Sequence, residues 1–314
     1  MYKFLFSVLL CCCYSIYACD FCGNSPALLN TDILSVQPQS SIGTSVQYRN
    51  YKFLTSNENM KRSQIVTQNF FASYAPKSWV DIRLSMPIIW MLNDYIVLNQ
   101  NTPKLKEKKF GPGDMILFSN FRVLSKPAIG NRRVGHTLNL GTGMSFPTGS
   151  KKESTNLILQ DFNFGTQTVS FLFSGTYSMS INNWGLVNAA FVRLNIYNKN
   201  HTKYGNSYTY QITGNYTHFF KRITVIPMLG LKFDASQKNL HNSIIQPRSG
   251  SWDIAANIGL QCAVKDFSFY LSVVQPLAQS ISANTIKEKT SFNCTLRYII
   301  ERKKKFTKNE TTKQ

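Results

Sequence analysis

From about Ile42 to Ile300 the chain is a succession of segments, 11 to 14 residues long at their clearest, in which apolar and polar side chains alternate one by one. Such alternation marks a strand with two unlike faces. In Ser251–Val264 the even positions Trp252, Ile254, Ala256, Ile258, Leu260, Cys262 and Val264 are apolar. The odd positions Ser251, Asp253, Ala255, Asn257, Gly259 and Gln261 are polar or small. Val80–Trp90, Ser207–Phe219, Ile223–Phe233 and Ser291–Ile300 repeat the pattern. It is weaker in Ile42–Phe53, Gln64–Tyr74, Gly113–Leu124, Val134–Phe146, Gly165–Ser178, Trp184–Tyr197 and Phe267–Gln275, which brings the predicted strands to twelve.

Two architectures take many alternating strands. A soluble sandwich uses strands of about 5–6 residues and turns the apolar face to a shared core. A transmembrane barrel turns that face to lipid and needs about 9–11 tilted residues per strand. Strand length favours the barrel. Connection length favours it more: Pro76–Ser78, Asn182–Asn183, Lys221–Arg222 and Lys265–Asp266 are short. Long polar stretches alternate with them, at Met91–Pro112, Thr148–Phe164, Ser236–Gly250 and Ser280–Lys287, with Asn198–Asn206 the tightest of that series and Ser125–Arg133 the one long member of the short series. Short periplasmic turns alternating with longer outer loops belong to an up-and-down membrane barrel, and an even strand count puts both ends of the barrel on the periplasmic side. Trp79, Trp90, Trp184, Tyr197, Trp252 and Tyr298 sit near strand ends, where interfacial girdles would place them.

The expected fold class is therefore all-β, a transmembrane antiparallel up-and-down β-barrel of about twelve strands over residues 42–300. Residues 1–18 read as a signal peptide: Lys3, a short apolar core Phe4–Tyr17, then Ala18 before the cut. That core is too short for a spanning helix, which needs about 20 apolar residues. The expected location is the bacterial outer membrane. Residues 19–41 form a periplasmic segment and 301–314 a basic tail.

Cys19 and Cys22 open the mature chain as CDFCG. A disulfide between them, lipidation of Cys19 and a half-filled metal site are the competing readings, the metal site the weakest because a second ligand pair is missing. Cys262 and Cys294 fall on apolar faces two strands apart, beyond disulfide reach, and are expected free and lipid-facing.

The net charge of +20 raises the question of nucleic acid, but the only dense runs are Lys104–Lys109 and Arg302–Lys305. Neither lies in a nucleic-acid module; both read as solvated, with lipopolysaccharide phosphates as a physical alternative. The expected partners are outer-membrane lipid, lipopolysaccharide and small solutes.

Catalytic patterns are missing from the sequence. It has no G-x-S-x-G elbow and no phosphate-binding loop, and His136, His201, His218 and His241 are isolated. No enzyme activity, cofactor or metal is expected. Gly141, Gly143, Pro147 and Gly149 read as a strand kink and turn. The functional surface is then the inner face, with Arg49, Asp81, Arg83, Arg122, Arg193, Lys232, Asp253 and Arg297 as lumen-lining candidates. Twelve strands tilted by ~40° give a backbone diameter of about 24 Å. That leaves room for a narrow channel, or for a plug formed by Met91–Pro112 or by Cys19–Ser41. The excess of arginine favours anionic solutes. A passive channel is the first expectation. A closed barrel acting as a scaffold or surface-binding protein is the alternative.

The opening CDFCG, Gly113–Leu124 (GDMILFSNFRVL), Leu138–Lys152 (LNLGTGMSFPTGSKK) and Ser272–Ser282 (SVVQPLAQSIS) resemble uncharacterised outer-membrane "transporter" barrels of Bacteroidetes. These are similar to the larger group labelled for the meta-pathway of phenol degradation. The resemblance runs from Cys19 to about Ile300 and implies a transport barrel. Members often carry a further cysteine where this chain has Asn24, and the tail beyond Ile300 also departs from barrels that end on their last strand.

Overall fold

The computed structural model describes residues 38–54, 60–95, 105–128, 134–150, 164–247 and 249–300. The alternating segments form β1 (Ser41–Phe53), β2 (Met60–Lys77), β3 (Val80–Tyr95), β4 (Leu105–Pro112), β5 (Met115–Lys126), β6 (Val134–Phe146), β7 (Ser170–Ile181) and β8 (Trp184–Asn195). They continue as β9 (Thr202–Lys203), β10 (Ser207–Tyr216), β11 (His218–Phe220), β12 (Ile223–Ser236), β13 (Leu240–His241) and β14 (Ile244–Ile245). The last are β15 (Ser251–Val264), β16 (Phe267–Ile281), β17 (Ile286–Glu288) and β18 (Ser291–Ile299). Three staves are split: β4 and β5 both pair β3, β10 and β11 both pair β12, and β17 and β18 both pair β1 and β16. The pairing of β18 with β1 closes the sheet. The fold is an all-β, closed antiparallel barrel of twelve staves. Closure leaves no open edge, as a strand structure surrounded by lipid requires. The short β9, β13 and β14 form a separate three-stranded sheet in the connections.

The two rims differ. One carries Ser41, Ile299 and the tight turns at Asn182–Asn183, Lys221–Arg222 and Lys265–Asp266. Asn182 (φ 54°) and Lys265 (φ 50°) take the positive φ that two-residue hairpins need. This is the turn rim. The other, the loop rim, carries the longer connections.

Three of the connections are shorter than the sequence suggests. Met91–Tyr95 continues β3, and β4 pairs with it from Tyr95↔Leu105 to Ile88↔Pro112. Met91–Pro112 is therefore mostly wall and not a plug. The Lys104–Lys109 run is largely strand as well: residues 105–109 lie in β4, where Glu107 binds Lys109 at 3.2 Å. Charges on both faces hid the alternation there. The Ser280–Lys287 stretch shrinks to residues 282–285, because β16 runs to Ile281 and β17 starts at Ile286. Between Ala255↔Pro276 and Ile254↔Ala278 the register shifts, leaving Leu277 as the extra residue of a bulge. A bulge is where a strand tolerates a proline. Ser236–Gly250 likewise contains the β13–β14 hairpin.

The outer face is apolar and uncovered: Ile258, Leu229, Leu231 and Ile42 are 51–63% exposed. Inward-facing Ser63, Ser145, Ser170, Ser236 and Gln261 are fully buried. Trp79, Trp184 and Tyr298 stand at the turn rim, the first two stacking or tilting against Phe121 and Tyr216 and the last against Phe267. Trp90, Tyr197 and Trp252 stand toward the loop rim, with Trp90 against Phe110 at 5.3 Å. Cys262 and Cys294 are free and on the outward register, separated by β16 (Cys262↔Phe269, Leu271↔Cys294). His136 also faces outward, its Nδ1 2.7 Å from the Tyr177 hydroxyl. Residues 1–37 and 301–314, and with them the proposed signal peptide, Cys19, Cys22 and Arg302–Lys305, lie outside the described residues.

Candidate functional site: the barrel interior

Inward positions repeat every second residue, so each stave contributes one column of side chains to the interior. Arg49, Asp81, Arg83, Arg122, Arg193, Lys232, Asp253 and Arg297 all occupy inward register positions, on β1, β3, β5, β8, β12, β15 and β18. They do not form one ring. The structure divides them among three levels.

Toward the loop rim, Lys232 is salt-bridged to Asp234, whose carboxylate also accepts a hydrogen bond from the Thr209 hydroxyl. Asp253 and Arg49 act electrostatically on Lys232. Glu288 is reached by Arg49, Lys232 and Asp234, and by the Tyr51 hydroxyl. Three acids thus face two cations at this level.

At the break between β4 and β5, Asp114 organises a second group. Its carboxylate accepts from the Thr166 N–H and hydroxyl, both at 2.7 Å, and from the Gly149 N–H at 3.0 Å. The Thr148 hydroxyl accepts from the Met115 N–H at 2.8 Å and lies 3.2 Å from the Gly113 carbonyl. Gly149 and Gly165 lie so close that a Cβ on Gly149 would sit 2.6 Å from the Gly165 Cα. The GD and PTG pieces of the sequence meet here. Arg193 approaches Asp114 at 4.0 Å and donates to Asn195 and Ser145. Both Asp114 and Arg193 are buried, so this pair is screened little by solvent.

Toward the turn rim, Asp81 is the one acid among three arginines. Arg83, Arg297 and Arg122 all act on its carboxylate, which accepts from the Asn120 amide at 3.3 Å. The Phe71 ring has the Arg83 guanidinium 5.6 Å from its centroid and that of Arg297 5.5 Å away.

A fourth feature is apolar. Tyr51, Phe53, Ile65, Ile89, Met91, Ile281 and Ile286 gather inside the loop-rim half around Phe164, which is 1% exposed. Phe164 comes from the β6–β7 connection and covers β4: a Cβ on Gly111 would lie 2.7 Å from its ring. The sequence placed polar or small residues inside and did not mark this cluster.

Asp114, Asp234 and Glu288 were missing from the sequence-derived set. The GD dipeptide pointed to Asp114. Asp234 lies one turn of the alternation beyond Lys232 in a strand expected to end at Phe233. Glu288 sat between the stretch Ser280–Lys287, expected to be loop, and the strand expected from Ser291. With them, and with Glu107 and Lys109 paired to each other, the interior's excess falls from four positive charges to one. The arginine excess is not spread evenly: net positive charge is concentrated at the turn-rim level. Among the described residues no group of His, Cys, Asp and Glu is placed to hold a metal.

No family model matches the chain, and no curated protein matches its sequence. Solved structures do match its shape. It is similar to the crystal structure of the COG4313 outer membrane channel from Pseudomonas putida F1, with a TM-score of 0.60 at 12% identity, over 84% of this chain and 96% of that one. The β domain of the Bordetella autotransporter BrkA matches at a TM-score of 0.47 and 9% identity, over 83% of this chain and 100% of that one. The NanC porin matches at 0.42 and 9%, over 81% and 100%. The fold is that of outer-membrane β-barrels.

Proposed function

We propose that this protein is a passive outer-membrane channel for small polar or charged solutes, working without cofactor, metal or catalytic step. The observation that carries this reading is the inverted wall. A closed barrel with an apolar outer face presents an inner face rich in Ser, Thr, Asn and Gln, with ionised groups at three levels and apolar side chains gathered around Phe164, Phe118 and Tyr270. Polar groups turned inward are costly unless they bond one another or water, and a lumen that passes water and solute supplies the second kind of partner. The eight residues named from sequence, with Asp114, Asp234 and Glu288, are the proposed pathway lining. The turn rim is then periplasmic, residues 1–18 are the export signal, and Cys19 and Cys22 are bridged or lipidated in the periplasm. The Pseudomonas putida F1 protein that it resembles in shape is described as an outer membrane channel, which is in keeping with this reading. The GD and PTG pieces, on which the resemblance to the Bacteroidetes transporter barrels rests, meet at Asp114, and this supports a kinship with them as part of the proposal.

A second reading is favoured by one observation: the apolar cluster around Phe164 occupies part of the loop-rim half. A barrel blocked there serves as a scaffold or surface-binding protein. Planar-bilayer recording of the full chain, purified from outer membranes and verified by its heat-dependent gel shift, separates the two. Stepwise conductance supports the channel. A correctly folded barrel that gives none refutes it and leaves the scaffold.

A further inference from the structure

The three charge levels are not equivalent. At the loop rim, acids outnumber cations by one; at the Asp114 level, one acid faces one arginine. At the turn rim, three guanidiniums face the single carboxylate of Asp81. They come from β3, β5 and β18, with the Phe71 ring of β2 between Arg83 and Arg297. Asp81 is 3% and Arg297 4% exposed, so bulk solvent does not neutralise this group as it would a surface patch. Three guanidiniums and one carboxylate at the same depth leave this level with a net positive charge, which attracts an anion the more strongly where Asp81 and Arg297 are withdrawn from solvent.

The geometry around Phe71 is built for this. Gly43 of β1 lies beneath the ring: a Cβ there would come 2.6 Å from the Phe71 Cζ. The glycine leaves room for the ring to lie over β1, with the Arg83 and Arg297 guanidiniums 5.6 and 5.5 Å from its centroid. A guanidinium stacked on an aromatic face is fixed in plane and presents its in-plane N–H fork, which matches a carboxylate bidentately. Arg122, on the far side of Asp81, has a buried Nε with no hydrogen-bond partner among the described residues. The neighbours of this patch on the inner wall are polar: the Ser41 and Ser73 hydroxyls, 2.8 Å apart, with Ser73 donating to the Gln39 carbonyl, and Asn120, whose amide donates to Asp81.

We propose that Arg83, Arg122 and Arg297 form a binding site for small organic carboxylates in the turn-rim half of the barrel. Asp81 sets the net charge of the site at two positive, so a dicarboxylate fits it better than a monocarboxylate. Phe71 positions two of the arginines. As a solute class for the proposed pathway this rests on the channel reading; as a binding site it is tested without it.

The test has two independent arms on the full-length barrel in detergent and in bilayers. The first is thermal unfolding in succinate, acetate or chloride at matched ionic strength. Succinate should raise the midpoint most, acetate less and chloride least. Arg122→Gln should abolish the difference between succinate and chloride, Arg122→Lys should retain part of it, and Asp81→Asn should enlarge the acetate effect. Equal midpoints in the three salts overturn the site, as does a succinate effect that survives in both Arg122→Gln and Arg297→Gln, provided each still shows the heat-dependent gel shift. The second arm is the zero-current potential across a tenfold potassium succinate gradient. Succinate stabilisation without conductance keeps the site and refutes the channel. Conductance without succinate stabilisation keeps the channel and refutes the site.

Discussion

Phe164→Ala tests whether the apolar cluster obstructs the interior. Phe164 is 1% exposed and packs with seven apolar side chains from β1, β2, β3, β16 and β17. Burying a phenylalanine removes roughly 150–200 Å² from water, worth about 4 kcal/mol at ~25 cal/mol per Å². Truncation to alanine in a site unable to collapse costs about 3–5 kcal/mol. The partners here are wall residues, held in place by ladders on both sides, so collapse around the missing ring is small. The loss therefore falls on the docking of the β6–β7 connection and not on the barrel. About 4 kcal/mol is a factor of roughly 10³ in that docking equilibrium. The hydrogen bonds from Thr166 to Asp114 hold the same segment and offset part of the loss. The expected phenotype is specific: an unchanged heat-dependent gel shift, faster protease cleavage between residues 147 and 169, and a larger unitary conductance. Phe110→Ala is the control, because Phe110 faces outward at 56% exposure and should change neither. A Phe164→Ala barrel with wild-type conductance and protease resistance would refute the claim that this side chain packs the loop into the pathway.

Asp114→Ala should destabilise the barrel by about 3–5 kcal/mol, since it strands Arg193 in a buried place and removes the acceptor of three hydrogen bonds; Asp114→Asn should cost less, and equal urea midpoints for all three proteins would contradict it. Gly43→Ala should cost about 1–3 kcal/mol because its Cβ would lie 2.5 Å from the Leu296 carbonyl oxygen, whereas Gly214→Ala, with its nearest neighbour at 3.8 Å, should be near neutral; the comparison of the two unfolding midpoints is the check. Ile258→Arg places a charge on the outer face at a position 62% exposed and should cost about 2–4 kcal/mol when folding is measured in lipid vesicles, which a wild-type folding yield would disprove.

Most of the fold was legible because lipid and lumen impose opposite chemistry on adjacent residues. Ser251–Val264 and Val134–Phe146 were bounded correctly to the residue. The failures came where that contrast fades. β4 projects charged Lys106 and Lys108 outward and the Glu107–Lys109 pair inward, so both faces look alike in sequence. Beyond Pro276 the bulge at Leu277 shifts the period by one, and the strand then reads as noise although it continues to Ile281. Alternation tells which face a side chain takes; it carries no information on depth or on neighbours several strands away.

For that reason the interior was legible as a list and not as an arrangement. Eight ionised residues of both signs were assigned to the inner face, and their excess of arginine suggested a modest preference for anions. The same residues, sorted by depth and joined by Asp114, Asp234 and Glu288, make a gradient instead: one excess acid toward the loops, balance at Asp114, two excess cations toward the turns. Two charges a few ångströms apart interact several-fold more strongly in a poorly solvated interior than in water. Where each excess lies therefore matters more to a passing ion than the total. In the proposed channel, an anion entering from the loop rim would meet repulsion before attraction, an order of levels that no count of arginines expresses.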